Sequence, residues 1–131
     1  MYLLDTNMCI YYFRGRYGLV KKVRQIGISN CKISEITIAE LKYGVEKSGD
    51  SKEKNRKVIE TFLSEVDAVS IFSSLDIFAR EKARLSKLGS IIDDFDLLIG
   101  ATAIANNLTL VTNNEKHFSR LEGIKIENWI K

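Results

Sequence analysis

The sequence predicts an α/β fold with a short, mainly parallel sheet. Two patterns carry that expectation. Short apolar runs alternate with longer amphipathic segments along the whole chain, the order expected when strands lie parallel and helices cross between them and cover both faces. Several of those runs stop at a polar turn, which sets the next residues at the carboxyl edge of the sheet, where reactive groups of such folds gather.

Tyr2-Leu3-Leu4 reads as a first strand that ends at Asp5-Thr6-Asn7. A short helix is expected from about Met8 to Arg14, after which Gly15 and Gly18 break the chain. A second helix covers about Leu19 to Ile26, and Cys31 to Ser34 forms the next strand. Thr37 to Glu46 is helical, with Ser34 or Glu35 near its cap. Gly49-Asp50-Ser51 marks a turn before a long charged amphipathic helix, Ser51 to Val66. Val69 to Phe72 is expected as a strand, and Ser74 as the cap of a helix that runs to about Leu88 and stops at Gly89. Asp93 to Asn106 is the next helix, Thr109-Leu110-Val111-Thr112 a buried strand, and Ile124-Lys125-Ile126 the last strand.

The 131 residues suit one domain spanning 1–131, with 45% apolar and 28% charged residues. No apolar run approaches the roughly 18 residues that span a bilayer. The N-terminus has neither the basic start nor the long apolar stretch of a signal peptide, so a cytoplasmic protein is expected. Cys9 and Cys31, with a single histidine, cannot supply a Cys/His zinc site and read as reduced core thiols. The net charge of +3 is compatible with a nucleic-acid partner without requiring one.

Three acids fall where surface acids do not belong. Asp5 directly follows an apolar strand; its plainer reading is a helix N-cap. Glu40 has Ile36, Thr37, Tyr43 and Gly44 as helical neighbours, a mostly apolar stripe. Asp96 sits one turn into a helix that becomes almost wholly apolar, beyond Asp93 and Asp94, which read as favourable N-terminal helix charges. Gly100, Ala101, Ala103 and Ala105 suggest that this helix packs closely on the sheet. An unpaired buried carboxylate costs several kcal/mol, so such acids are paired or bound to metal, and no basic residue is fixed by helical spacing to meet any of the three. A fourth position follows the strand ending at Thr112: Asn114 to orient a water, or Glu115 to add a carboxylate. An oxygen-only cluster suits a hard cation, Mg²⁺ or Mn²⁺, and the matching chemistry is phosphodiester hydrolysis. His117 is not needed for it and reads as a surface or packing residue.

Leu4-Asp5-Thr6-Asn7, Thr37 to Gly44, Asp93 to Ala101 and Leu110 to Asn114 together resemble the four motifs of PIN-domain nucleases, in order and over nearly the whole chain. The nearest group is the VapC toxins of toxin–antitoxin modules, whose C-terminus Ile126-Glu127-Asn128-Trp129 also resembles. The resemblance implies a three-layer α/β/α fold. It implies a Mg²⁺- or Mn²⁺-dependent endoribonuclease acting on tRNA or ribosomal RNA. Asp5 and Asp96 would be direct ligands, with Glu40 completing the pocket directly or through water. Thr6 and Thr112 would hydrogen-bond the ligating carboxylates, and Asn7 would bond the carboxylate of Asp5. Many PIN domains carry aspartate where this chain has Asn114, so either Asn114 or Glu115 takes that part.

The resemblance also implies a homodimer and a cognate antitoxin whose tail lies across the active-site groove. The first and third helices, with Tyr11, Tyr12, Phe13 and Tyr43, are the candidate walls of that groove, though core packing explains the same aromatics. Arg14, Arg16, Lys21, Lys22, Arg24 and Lys42 would track an RNA backbone or simply form solvated helix faces. Two other functions compete. An aspartate-nucleophile phosphatase would use Asp5 but usually needs a second aspartate where Asn7 stands. A catalytically inactive binding module on the same scaffold would engage only its antitoxin.

Overall fold

The computed structural model describes residues 1–130. Five parallel strands form one sheet in the order β3-β2-β1-β4-β5. They are β1 (Tyr2–Leu4), β2 (Cys31–Ser34), β3 (Asp67–Val69), β4 (Thr109–Val111) and β5 (Lys125–Glu127). Successive strand residues face opposite sides. Leu4, Cys31 and Ile33 therefore enter one core and Leu3 and Leu110 the other.

The first core is covered by α1 (Thr6–Phe13), α2 (Leu19–Ile26), α3 (Glu35–Glu46) and α4 (Lys52–Glu65). The second is covered by α5 (Leu75–Leu88), α6 (Asp94–Ala105) and the short α7 (Glu115–Phe118). This is the expected three-layer arrangement. Cys9 and Cys31 are free, buried thiols in the first core. No helix among the described residues is long and apolar enough to cross a membrane.

Side-chain caps start the helices that frame the sheet's carboxyl edge. Asp5 accepts from Met8 N–H, Ser34 from Ile36 N–H and Asp93 from Phe95 N–H, each satisfying a helix donor that has no partner inside the helix. Gly89 ends α5 in the left-handed region, at φ +67°, as expected of a C-terminal glycine.

Two expectations are corrected. The third strand lies earlier than Val69–Phe72, because pairing of Lys32 with Asp67, Ile33 with Ala68 and Ser34 with Val69 sets its register. Phe72–Ser74 is instead a turn of 3-10 helix, with Phe72 80% exposed. Ser74 does not cap α5 with its side chain; its hydroxyl donates to Ile71 O at 2.6 Å within that turn. Glu115–Phe118, for which the sequence predicts no element, forms the short α7, with Phe118 beside Gly100 of α6.

Candidate active site

β1 delivers Asp5 to the carboxyl edge of the sheet with 5% of its surface exposed. Both of its oxygens are engaged. Oδ1 accepts from Met8 N–H at 2.8 Å, and Oδ2 accepts from the hydroxyl of Thr112, the residue after β4, at 2.5 Å. The N-cap role and a site role are therefore not exclusive, since a carboxylate has about four lone-pair positions to share. Burial pushes the Asp5 carboxyl up to about 6; the two hydrogen bonds oppose the rise, and the charges of Asp96 and Glu40 add to it.

Glu40 enters from α3. Its Oε1 accepts from the Thr6 hydroxyl at 2.6 Å. Thr6 has one hydroxyl proton, so it accepts in turn from Thr37, 3.1 Å away and fully buried one turn before Glu40. Asp96 enters from the first turn of α6 and is half-buried. Its carboxyl is raised above the usual range by burial first, then by the charges of Asp93 and Glu40, while His117 opposes the shift.

Asp5, Glu40 and Asp96 thus come from three separate elements into one field, each of the two aspartates raised by its neighbours. None forms an ion pair with a lysine or arginine among the described residues. The donors do not converge as a dense cage: no group of three His, Cys, Asp or Glu side chains among the described residues stands close enough to hold an ion without movement. An oxygen-only, negatively charged, partly open set fits a hard divalent cation that keeps its waters and takes only one or two carboxylates directly. Asp5 and Asp96, with Glu40 beside them, are the groups able to hold it.

The other expected residues divide. Thr6 and Thr112 lie where expected, donating to Glu40 and Asp5. Asn7 does not hydrogen-bond Asp5. It is exposed, because the third residue of the helix, Met8, presents its N–H to the cap while Asn7 turns outward. Glu115 is exposed and turned away: its Oε2 accepts from Asn128 Nδ2 at 3.2 Å. Asn114 is half-buried, and its N–H donates to Thr112 Oγ1 at 2.9 Å, one hydrogen bond removed from Asp5. Of the two candidates for the fourth position, Asn114 is the one linked to Asp5 through Thr112.

Three residues that act on the site were not singled out from sequence. Thr37 completes the hydroxyl chain to Glu40, and its position three residues before Glu40 was a usable signal. Asp93 caps α6 and charges the field around Asp96. His117 lies near enough to Asp96 to act on it, a closeness that follows only from α7 packing on α6.

Comparison with known proteins identifies the family. The PIN domain family model matches residues 2–124. A protein of Rickettsia felis named Ribonuclease VapC2 is 38% identical over 100% of this chain and 99% of its own length. The tRNA(fMet)-specific endonuclease VapC of Salmonella typhimurium is 33% identical, covering 98% of this chain and 97% of its own. The crystal structure of VapBC2 from Rickettsia felis, bound to a DNA fragment from its promoter, superposes with a TM-score of 0.89 at 36% identity, over 98% of each chain. Matched nearly end to end by the family model and by relatives of this similarity, the chain belongs to the PIN-domain family and, within it, to the VapC ribonucleases.

Proposed function

We propose that this protein is a metal-dependent endoribonuclease and the toxin of a toxin–antitoxin pair, with Asp5, Glu40 and Asp96 as its catalytic acids and Asn114 beside them. The observation that carries the site assignment is the closeness of those three carboxylates at one sheet edge with no lysine or arginine paired to any of them among the described residues. Mg²⁺ or Mn²⁺ is the cofactor that suits the donors. When bound, such a cation polarises a phosphodiester and makes the attacking water more acidic.

The chain's own residues prepare the site for it. Thr112 and Met8 N–H fix the rotamer of Asp5, so one carboxylate is aimed before substrate arrives. The Thr37–Thr6–Glu40 chain does the same for the second acid. The side-chain amide of Asn114 is half-buried with no capping bond of its own, and serves to orient the attacking water. His117 is exposed and close enough to Asp96 to act on it, so it would meet an approaching RNA phosphate.

The substrate is RNA of the tRNA or ribosomal class, a reading supported by the tRNA endonuclease named among the relatives. The partner is a small antitoxin, supported by likeness to the VapBC complexes. Its seat is the groove between α1, α3 and α4, where Ile10, Phe13, Leu41 and Val58 give apolar walls and Glu40 stands in the lining. A homodimer working in the cytoplasm completes the reading.

Purified protein is expected to cleave RNA with Mg²⁺ or Mn²⁺ and to stop in EDTA, and Asp5→Ala is expected to abolish cleavage. Unchanged cleavage by the Asp5→Ala protein would overturn the assignment.

A further inference from the structure

The residues after β5 build a second polar pocket at the same edge of the sheet. Lys22, Glu115, Ile126, Glu127, Asn128 and Trp129 line a space of about 400 Å³, within the range that holds a small organic ligand. Leu4 pairs with Val111 and Val111 with Glu127, so Asp5 and Asn128 each stand one residue past a paired position, two strands apart. Two strand spacings are about 10 Å, the reach of a neighbouring nucleotide. Thr112 joins the two places: its hydroxyl donates to Asp5 and its N–H donates to Glu127 O at 3.0 Å.

The polar groups of this pocket are held by one end and open at the other. Trp129 Nε1 donates to Glu127 Oε1 at 3.0 Å, and Asn128 Nδ2 donates to Glu115 Oε2 at 3.2 Å. The second oxygen of each carboxylate has no hydrogen-bond partner among the described residues. Lys22 lies in the same pocket with its ammonium 5.6 Å from the centre of the Trp129 ring, yet it forms an ion pair with neither glutamate. Tyr2 braces the Trp129 ring edge-on at 5.1 Å, and the ring remains partly exposed.

Two fixed acceptors, one mobile cationic donor and a braced aromatic plane match the Watson–Crick edge of guanine. Guanine offers two N–H donors, at N1 and N2, beside the acceptor O6. Adenine sets a lone pair at N1, and cytosine and uracil set a carbonyl at O2, against the carboxylates. The chain segment that carries Lys22 is also basic. Between Asp5 and Glu35 the sequence has no acidic residue, while Arg14, Arg16, Lys21, Lys22 and Arg24 fall within it. We propose that this pocket is a base-recognition subsite for a guanine flanking the scissile bond, with Trp129 as stacking platform, Glu115 and Glu127 as acceptors and Lys22 as donor to O6. The proposal rests on the nuclease reading above and adds the specificity of the same substrate.

Trp129 is the only tryptophan in the chain, so its fluorescence reports on this pocket alone. In EDTA, GMP is expected to quench the emission saturably, with a midpoint at least tenfold lower than those of AMP, CMP and UMP. Glu127→Gln and Lys22→Met are each expected to raise the GMP midpoint about tenfold, the scale of one hydrogen bond to a charged group. The Lys22 side chain makes no hydrogen bond or ion pair among the described residues, so its variant keeps the test open if Glu127→Gln fails to fold. Equal quenching by the four nucleotides, equal quenching by inorganic phosphate, or a midpoint indifferent to Lys22→Met would overturn the subsite. Cleavage that depends on Asp5 alongside any of those results defeats the subsite alone. Guanine-selective quenching alongside cleavage indifferent to Asp5→Ala defeats the nuclease reading alone.

Discussion

Thr112 donates its hydroxyl proton to Asp5 Oδ2 across 107 positions of sequence, and the Thr112 hydroxyl oxygen itself accepts from Asn114 N–H at 2.9 Å. One buried side chain thereby ties the first strand's acid to the loop that carries the fourth position. Thr112→Val keeps the shape and removes both bonds. The Asp5 carboxyl should then rise above about 6, since the hydrogen bond was holding it down. Stability should fall by about 1–3 kcal/mol. The Mn²⁺ concentration for half-maximal cleavage should rise about 10–100-fold. A metal titration that superposes on the wild type would contradict this role.

The raised Asp5 carboxyl gives metal-free protein a defined pH dependence. The group sits at about 6 when folded, against 3.8 ordinarily. Between those values the folded state binds more protons than the unfolded one, so stability falls as pH rises through the window and levels off above it. The span corresponds to about 3 kcal/mol. Urea unfolding in EDTA should show this limb, and Asp5→Asn, which retains a capping oxygen for Met8 N–H, should lack it. Saturating Mg²⁺ or Mn²⁺ should also flatten it, because a bound cation favours the charged form.

Asp96→Asn should lower cleavage at least about 100-fold, since losing a ligand's charge exceeds the cost of losing a residue that only orients one. The variant should remain folded: Asp96 makes no hydrogen bond or ion pair to another part of the chain among the described residues, and its charge is opposed by Asp93 and Glu40. Near-normal turnover at saturating Mg²⁺ would remove Asp96 from the proposed ligands.

A crowding test probes how α6 is seated. A Cβ on Gly100 would stand 2.3 Å from Leu121 Cδ1 and 3.3 Å from Phe118 Cδ1. Gly100→Ala should therefore destabilise by about 1–3 kcal/mol through overpacking, despite the helix-propensity gain of about 1 kcal/mol. In a Leu121→Ala background the same change should become close to neutral, because the clash with Leu121 is gone while the Phe118 contact at 3.3 Å and the propensity gain both remain. Additive effects would show that Leu121 moves aside without cost.

A fourth acid could not be chosen from sequence. Asn114 and Glu115 are adjacent, and which one stays linked to Thr112 depends on the phase at which α7 begins. That phase is set by Phe118 docking beside Gly100 and by Asn128 holding Glu115 from the far side of β5. The same reason hid Asn7: its direction follows from which N–H the cap accepts, not from its neighbourhood to Asp5. The strand expected at Val69–Phe72 failed likewise, because a parallel register with β2 assigns strand residues and apolarity alone does not.

What the sequence determined by itself was the order of elements and the oddity of three acids, because helical and strand periodicity place a side chain relative to its near neighbours. Asp5 after an apolar strand, and Glu40 and Asp96 on apolar helix stripes, were legible in that way. Which polar atoms meet came from the folded chain: Thr112 with Asp5, Thr6 and Thr37 with Glu40, and the Lys22 and Trp129 pocket two strands away. Those meetings depend on strand register and helix docking, which fix positions to within a hydrogen bond's length across residues that no local pattern connects.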